Sequence, residues 1–144
     1  MKPTSKKTVQ KMKDEYEKNI RRSSTENLKK KYANRPWLEE AASTWISRKD
    51  LEAFLDANNA DGLRIYYGCH HVSTNGDPKL DYLGLHNLIF VATKDASGTP
   101  TSQTSVDQLR DTTEEPATFE GAAVTDGLLC PPVCPPPPPP PSGE

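Results

Sequence analysis

The chain has 144 residues, of which 33% are hydrophobic and 26% are charged, and its net charge is −2. This length suits one domain, and the low apolar content predicts a small core with substantial segments outside it. No stretch approaches the roughly 20 apolar residues that cross a membrane. The basic start lacks the apolar run of a secretory signal, so a cytoplasmic protein is expected.

Charge is distributed unevenly along the chain. Residues 1–50 carry 14 Lys and Arg against 7 Asp and Glu, whereas residues 95–144 carry 1 against 8. The two ends can attract each other within one chain or between chains, and the basic end can meet an anionic partner. Nucleic acid is disfavoured as that partner, because acidic residues are interleaved and the aromatic residues fit an apolar stripe better than a stacking platform.

Residues 6–33 are predicted to be helical. Ser23 and Glu26 have the spacing of a capping box, so the segment is either one bent helix or two short helices, the second carrying Leu28 and Tyr32. A narrow apolar stripe at helical spacing is formed by Val9, Met12, Tyr16 and Ile20. Such a stripe stabilises little alone, so it is expected to pack on the core or on another chain. The residues predicted to contact a partner in this part of the chain are Tyr16, Ile20, Tyr32 and Trp37.

The segment NRPWLEEAASTW, residues 34–45, is predicted to form a short helix. Asn34 can cap it, Pro36 suits its first turn, and two Glu residues favour the positive end of the helix dipole. Its apolar side would consist of Trp37, Leu38, Ala41 and Trp45.

The strongest local pattern, ISRKDLEAFLDANNADG, predicts a helix over residues 48–58. Ser47 and Asp50 have capping spacing, and Ile46 and Leu51 have the spacing of a hydrophobic staple. Gly62 is expected to take the left-handed conformation that ends the helix. The buried face is predicted to be Leu51, Phe54 and Leu55.

Two strands are predicted after this helix, at 63–68 (LRIYYG) and 87–93 (NLIFVAT), with a third at 80–85. The apolar second strand should be central. Beyond residue 99, a short helix around 105–110 and a strand anchored by Phe119 and Val124 are the expected ordered parts.

The predicted fold class is therefore α+β: N-terminal helices, then a small two- or three-stranded antiparallel sheet, with an irregular C-terminal third and a polyproline tail. The proposed divisions are a basic helical segment at 1–35, an α+β core at 36–98, an acidic Ser/Thr-rich region at 99–129 and a Cys-Pro tail at 130–144.

The cysteines raise the question of a metal or redox site. A Cys₃His zinc site can be assembled from Cys69, His70 or His71, Cys130 and Cys134, and zinc is the candidate cofactor. The three-residue gap in CPPVC departs from the usual two-residue knuckle and from a thioredoxin-like dithiol. In a reducing cytosol, thiols or metal ligands are expected before bridges, and a local disulfide between Cys130 and Cys134 is the remaining alternative.

Enzymatic activity is not expected, because no catalytic motif frames any nucleophile. There is no nucleophile elbow, no Walker loop and no His-Glu-x-x-His pattern. His70, His71 and His86 are interpreted as loop histidines near strand ends.

The chain closes on seven consecutive prolines followed by SGE. Such a run forms an extended polyproline II rod, which is either a spacer or a preformed ligand for an aromatic groove. Because little follows it, the ligand interpretation gains weight. The residues concerned are Pro135, Pro136, Pro137, Pro138, Pro139, Pro140 and Pro141.

The segments WISRKDLEAFLDANNADGLRIYYG, NLIFVATKDASG and DGLLCPPVC together resemble a group of small uncharacterised bacterial proteins. The resemblance spans roughly residues 45–130, and the seven-proline ending looks like an addition to it. It implies a bacterial cytosolic protein of this organisation and implies no chemistry.

The function predicted from these patterns is a non-enzymatic interaction or assembly protein. Its helical head would associate with a protein partner or with another copy, and its proline-rich tail would dock. The alternatives are a small zinc-binding module and, third, an enzyme whose motif is not recognisable.

Overall fold

A computed structural model describes residues 1–111, 118–125, 127–131 and 134 of the chain. The fold is α+β, with one long N-terminal helix followed by antiparallel sheets. The seven prolines at 135–141 lie outside the described residues. None of the helices in the described part combines the length and apolarity that crossing a bilayer requires.

The N-terminal helix is continuous through the predicted break. It consists of α1 (Lys6–Tyr16), a π-helical turn (Glu17–Arg21) and α2 (Arg22–Lys31). Ser23 therefore lies inside α2 and starts no second helix. The irregular part of the helix is instead the π-helical turn just before it, which contains one more residue than an α-helical turn.

The helix predicted at 34–45 is wrong, because the segment begins with turns, contains no helix and ends in strand β1 (Ser43–Trp45). β1 pairs antiparallel with β6 (Leu128–Cys130), with Thr44 opposite Leu129. The backbone N–H of Ala42 donates to the carbonyl of Cys130 at 2.6 Å. Tertiary partners for the backbone outweigh the local helical preference here, as often happens for short weakly helical segments.

The predicted helix at 48–58 is confirmed as α3 (Arg48–Ala57). The Ser47 side chain accepts a hydrogen bond from the backbone N–H of Asp50 at 3.0 Å, which is the predicted cap. The left-handed residue after the helix is Asn59, with φ 46°, and not Gly62, which begins the next strand. Asn tolerates this conformation better than other residues that carry a Cβ.

The main sheet is built around two long strands, β2 (Gly62–Cys69) and β3 (His86–Lys94). They pair antiparallel from Gly62 opposite Thr93 to Cys69 opposite His86. β3 is central as predicted, because it also pairs with β4 (Val106–Asp107) and β5 (Ala123–Val124). The predicted helix at 105–110 is thus wrong, and the strand predicted with Phe119 and Val124 is confirmed at Val124, whereas Phe119 lies outside it.

The third strand predicted at 80–85 is also wrong, because a loop occupies these positions. A short 3₁₀ turn (Pro78–Leu80) leads into Asp81. The Asp81 carboxylate accepts hydrogen bonds from the hydroxyl of Ser73 and the backbone N–H groups of Thr74 and Leu83. These bonds close the loop on itself and replace the ladder that a strand would need.

Two apolar clusters form the core. The first cluster joins the inner end of the N-terminal helix to β6, and its buried members are Leu28, Leu38, Ala41, Leu85 and Leu129. The second joins α3 to the main sheet, and its buried members are Phe54, Phe90 and Ala92. Full burial of one such large side chain contributes roughly 1.5–3 kcal/mol.

Candidate functional site

An apolar stripe on the outer part of the N-terminal helix faces solvent. None of the residues of α1 is buried, and Val9, Met12 and Ile20 are 44%, 66% and 52% exposed. Met12, Tyr16 and Ile20 line a shallow groove of about 480 Å³. We call the exposed residues Val9, Met12 and Ile20 the outer stripe. A helix with this pattern presents a surface that a second apolar surface can cover.

The π-helical turn changes which residues of the helix face the core. In a regular α-helix Ile20 would follow Tyr16 on the inner face. With the wider turn, Arg21 takes that position and donates from Nε to the carbonyl of Glu40 at 2.6 Å. Tyr16 donates its hydroxyl to the carbonyl of Ala41 at 2.8 Å. Ile20 is therefore left at the surface.

The other two residues predicted to contact a partner have roles within the fold. Tyr32 packs against the first apolar cluster, with the Arg35 guanidinium 5.4 Å from its ring centre. Trp37 is partly exposed and donates its indole N–H to the carbonyl of Pro78 at 3.3 Å.

The buried carboxylate of Glu40 connects the N-terminal helix, the segment before β1 and the main sheet. Glu40 is only 1% exposed, and its Oε2 accepts from Ser24 Oγ at 2.6 Å and lies 2.7 Å from His86 Nδ1. Its Oε1 accepts from the backbone N–H groups of Ala41 and His86 at 2.9 and 2.7 Å. We call these four residues the Glu40 network. Every acceptor position of the carboxylate is used, as a buried charge requires.

The hydrogen bonds of the network set the charge of its carboxylate. Burial by itself raises the pKa of Glu40, but the donors from Ser24, His86 and Ala41 outweigh it, so the pKa lies below its ordinary value. Glu40 is therefore ionised at neutral pH. Burial and the nearby Glu40 charge raise the pKa of Tyr16, which keeps the Tyr16 hydroxyl protonated as a donor.

The network also orients one imidazole. An ionised carboxylate only accepts, so Nδ1 of His86 is its protonated nitrogen and Nε2 is the acceptor of the neutral ring. The His86 side chain is 46% exposed and lines a cavity of about 130 Å³ together with Tyr67 and Leu88. The arrangement can hold or pass a proton at a surface that a small molecule reaches.

The three cysteines of the candidate zinc site are not in the same chemical state. Cys130 and Cys134 form a disulfide, which is the local bridge given above as the alternative to thiols or metal ligands. Cys69 is a free, exposed thiol. Among the described residues no group of three or more His, Cys, Asp and Glu is placed to hold a metal. Zinc binding stays a prediction.

The two histidines beside Cys69 differ in their surroundings. His70 is buried, with its ring centre 5.3 Å from that of Tyr82, and its backbone pairs with Leu85 and Gly84. His71 is exposed. The prediction that these are loop histidines near strand ends is confirmed for His70 and His71, which follow β2, and is wrong for His86, which belongs to β3 and to the Glu40 network.

Sequence reasoning missed Glu40 and His86 as a pair. They are 46 positions apart, and no motif joins them. A weak signal was present, because Glu40 stands among residues assigned to an apolar side and His86 directly precedes the strand predicted at 87–93. Each is a polar residue next to core positions, and only the fold shows that they meet.

No family model matches the chain, and comparisons with curated proteins and with solved structures return no match. The resemblance to a group of bacterial proteins therefore stays a prediction.

Proposed function

We propose that this protein is a non-enzymatic assembly protein whose N-terminal helix binds a second copy of the chain. The observation that carries the proposal is the solvent-facing outer stripe on α1, a helix segment of 11 residues with no buried side chain. Apolar side chains exposed along one face of a helix form a surface that a second apolar surface can cover. A partner that covers Val9, Met12 and Ile20 supplies the packing that the chain itself does not.

Charge supports another copy as the partner. The helix is strongly basic, since residues 1–50 carry 14 Lys and Arg against 7 Asp and Glu. Residues 95–144 carry 8 acidic residues and 1 basic residue. Two basic heads repel each other, so the favoured contact is heterologous: the helix of one copy against the acidic C-terminal third of the next.

The proline-rich tail belongs to the same proposal as a docking element. Pro135 to Pro141 would offer an extended rod with little conformational entropy to lose on binding. Removing residues 135–144 should leave assembly through the helix intact and abolish capture of proteins with aromatic grooves.

Light scattering coupled to size exclusion tests the assembly. The wild-type mass should rise with protein concentration, and high salt should reduce it, because screening weakens attraction between surface charges. Met12→Glu should reduce association at least about tenfold, since a charge in an apolar interface costs more than 1.4 kcal/mol.

Gln10→Glu is the matched control. It adds the same charge two residues away, on the opposite face of α1. It should associate as the wild type does, apart from a small effect of net charge. A wild-type protein that stays monomeric at every concentration would refute self-assembly, and equal weakening by both variants would show that the apolar stripe has no role.

A further inference from the structure

The free thiol and the oriented imidazole lie on facing positions of the main sheet. Cys69 in β2 is directly opposite His86 in β3. Residues paired in this way point to the same face of the sheet, with Cβ atoms about 4.5–5.5 Å apart. Cys69 is exposed, and nearly half of the His86 side chain is accessible. A contact between the Cys69 sulfur and the His86 ring would require a χ1 rotamer of Cys69 that points across to β3.

His86 is held for this role from its other side. The Glu40 carboxylate lies 2.7 Å from Nδ1 and also accepts the backbone N–H of His86, so both ring orientation and tautomer are set. Nε2 is left as the basic nitrogen. A thiol next to a histidine that is oriented by a third group is the general pattern of an activated cysteine nucleophile.

We propose that Cys69, His86 and Glu40 form a thiol-modification site that takes the disulfide of a small thiol. His86 Nε2 accepts the proton of the Cys69 thiol, and the thiolate attacks one sulfur of the disulfide. A new S–S bond joins Cys69 to that half of the reagent, the old S–S bond breaks, and the departing thiolate takes the proton from His86. No other oxidant is needed, because the disulfide supplies the oxidising equivalent.

A disulfide suits the site better than a carbonyl compound. Acyl transfer needs preorganised donors for a developing oxyanion, whereas thiol–disulfide exchange needs only an accessible thiolate and a leaving thiol. The cavity of about 130 Å³ beside His86, lined by Tyr67 and Leu88, can receive part of a small reagent.

The charged and titratable groups around His86 come from three elements. Glu40 faces it from the segment before β1, and Arg21 and Tyr16 of the N-terminal helix bond the backbone of that segment. Tyr67 and Cys69 share its sheet face from β2. The Glu40 carboxylate lies 2.7 Å from Nδ1 of the imidazole, so its negative charge stabilises the positive charge that the ring gains when it takes the thiol proton.

Reaction with dithiodipyridine tests the proposal in the full chain with its Cys130–Cys134 disulfide intact. The released thiopyridone gives the rate by absorbance, and Cys69 is the free cysteine of the three, so one equivalent should react. An unassisted thiol is only about 1% ionised at two pH units below its pKa near 8.5. The wild-type rate near pH 6.5 should exceed that baseline about tenfold or more.

Three variants separate activation from simple exposure. Cys69→Ser should abolish the reaction and the corresponding adduct in the intact mass. His86→Gln should slow the reaction about tenfold near pH 6.5 and leave it unchanged above about pH 9, where any thiol is ionised. His71→Gln is the matched control, because it removes an exposed histidine close to Cys69 in the chain and should react as the wild type does.

A pH–rate profile of His86→Gln that superimposes on the wild-type profile would overturn the proposal. So would a wild-type profile that only follows an unassisted thiol. Circular dichroism checks that each variant is folded. Glu40→Gln, which keeps the shape of the side chain and removes its charge, gives a second test of the reaction rate. It should lie between the wild type and His86→Gln near pH 6.5.

Discussion

The two halves of the N-terminal helix have similar lengths and composition but opposite relations to the rest of the molecule. α1 has 11 residues and α2 has 10, and both are rich in lysine. α1 buries none of its side chains, whereas α2 buries Leu28 in the first apolar cluster and donates from Ser24 to the buried Glu40. The difference arises from what lies opposite each half.

In this helix the regular spacing of apolar residues and the contacts that hold the helix to the core occur in different halves. The apolar spacing is clearest in α1, where Val9, Met12 and Tyr16 follow regularly. The anchoring is strongest in α2, where Ser24 donates to the Glu40 carboxylate, Thr25 accepts the backbone N–H of Glu40 and Leu28 is buried. The spacing of apolar residues indicates which face of a helix can be buried. Whether that face is buried depends on the segment that packs against it.

The largest expected effect comes from removing the anchor. Glu40→Ala deletes four hydrogen bonds and leaves the donors of Ser24 and His86 without their acceptor. The free energy of unfolding should fall by about 3–4 kcal/mol. Chemical denaturation measures it.

The neighbouring Glu39 is the control for that loss. Glu39 is exposed and bonds only the Arg21 guanidinium, at 3.1 Å. Glu39→Ala should cost less than about 1 kcal/mol. Equal losses for the two variants would show that α2 is not held by the buried carboxylate.

Two apolar truncations compare the halves directly. Leu28→Ala should lower the free energy of unfolding by about 2–3 kcal/mol, because it leaves a cavity among Leu38, Leu85 and Leu129. Met12→Ala, in the exposed half, should change the stability of the monomer by less than about 0.5 kcal/mol. The measurement is denaturation at a concentration where light scattering shows monomer, and a large loss for Met12→Ala there would mean that α1 packs within its own chain.

Low pH should weaken the anchoring of α2 to the core and should have little effect on α1. The pKa of Glu40 is lower in the folded state than its ordinary value of 4.5, so the folded protein binds fewer protons. The stability from Glu40 is therefore fully present above about pH 4.5 and is lost as the pH falls through the lowered folded value. Thermal unfolding followed against pH should show this acid limb in the wild type, and Glu40→Gln should flatten it, whereas Glu39→Gln should not.

The smallest expected effects come from two serine caps with the same chemistry. Ser47 accepts from Asp50 N–H at 3.0 Å at the start of α3, and Ser5 accepts from Thr8 N–H at 3.1 Å at the start of α1. Ser47→Ala should lower global stability by about 1 kcal/mol, since α3 packs on the sheet. Ser5→Ala should reduce helical circular dichroism slightly and leave the melting temperature of the core unchanged. A matching fall in melting temperature for Ser5→Ala would show that both helices unfold as one unit.

The parts of the fold that sequence could predict are those with dense local information. α3 carries a cap, a staple and an apolar face within a dozen residues, and β2 and β3 are long runs of aromatic and branched side chains. The strands β1, β4, β5 and β6 have two or three residues each, too few for a periodic pattern. Their partners are distant in sequence, so no local rule predicts them.

The candidate site divides in the same way. The spacing of its residues predicts the outer stripe. The sequence does not predict the π-helical turn, so it does not show that Arg21 faces the core in place of Ile20. Glu40 was assigned to the start of a helix for its charge, and it is in fact the buried acceptor for His86. The sequence alone does not distinguish a glutamate that stabilises a helix N-terminus from a glutamate whose carboxylate is buried.

The five-residue turn at Glu17–Arg21 also has a geometric consequence. Each residue of an α-helix advances the azimuth by about 100°, so deleting one residue from this turn would make it α-helical and swing the outer stripe about that far around the helix axis. The core end would stay in place while Met12 pointed elsewhere. The insertion or deletion of one residue in this turn would therefore change the direction in which the exposed half of the helix presents its apolar side chains to a partner.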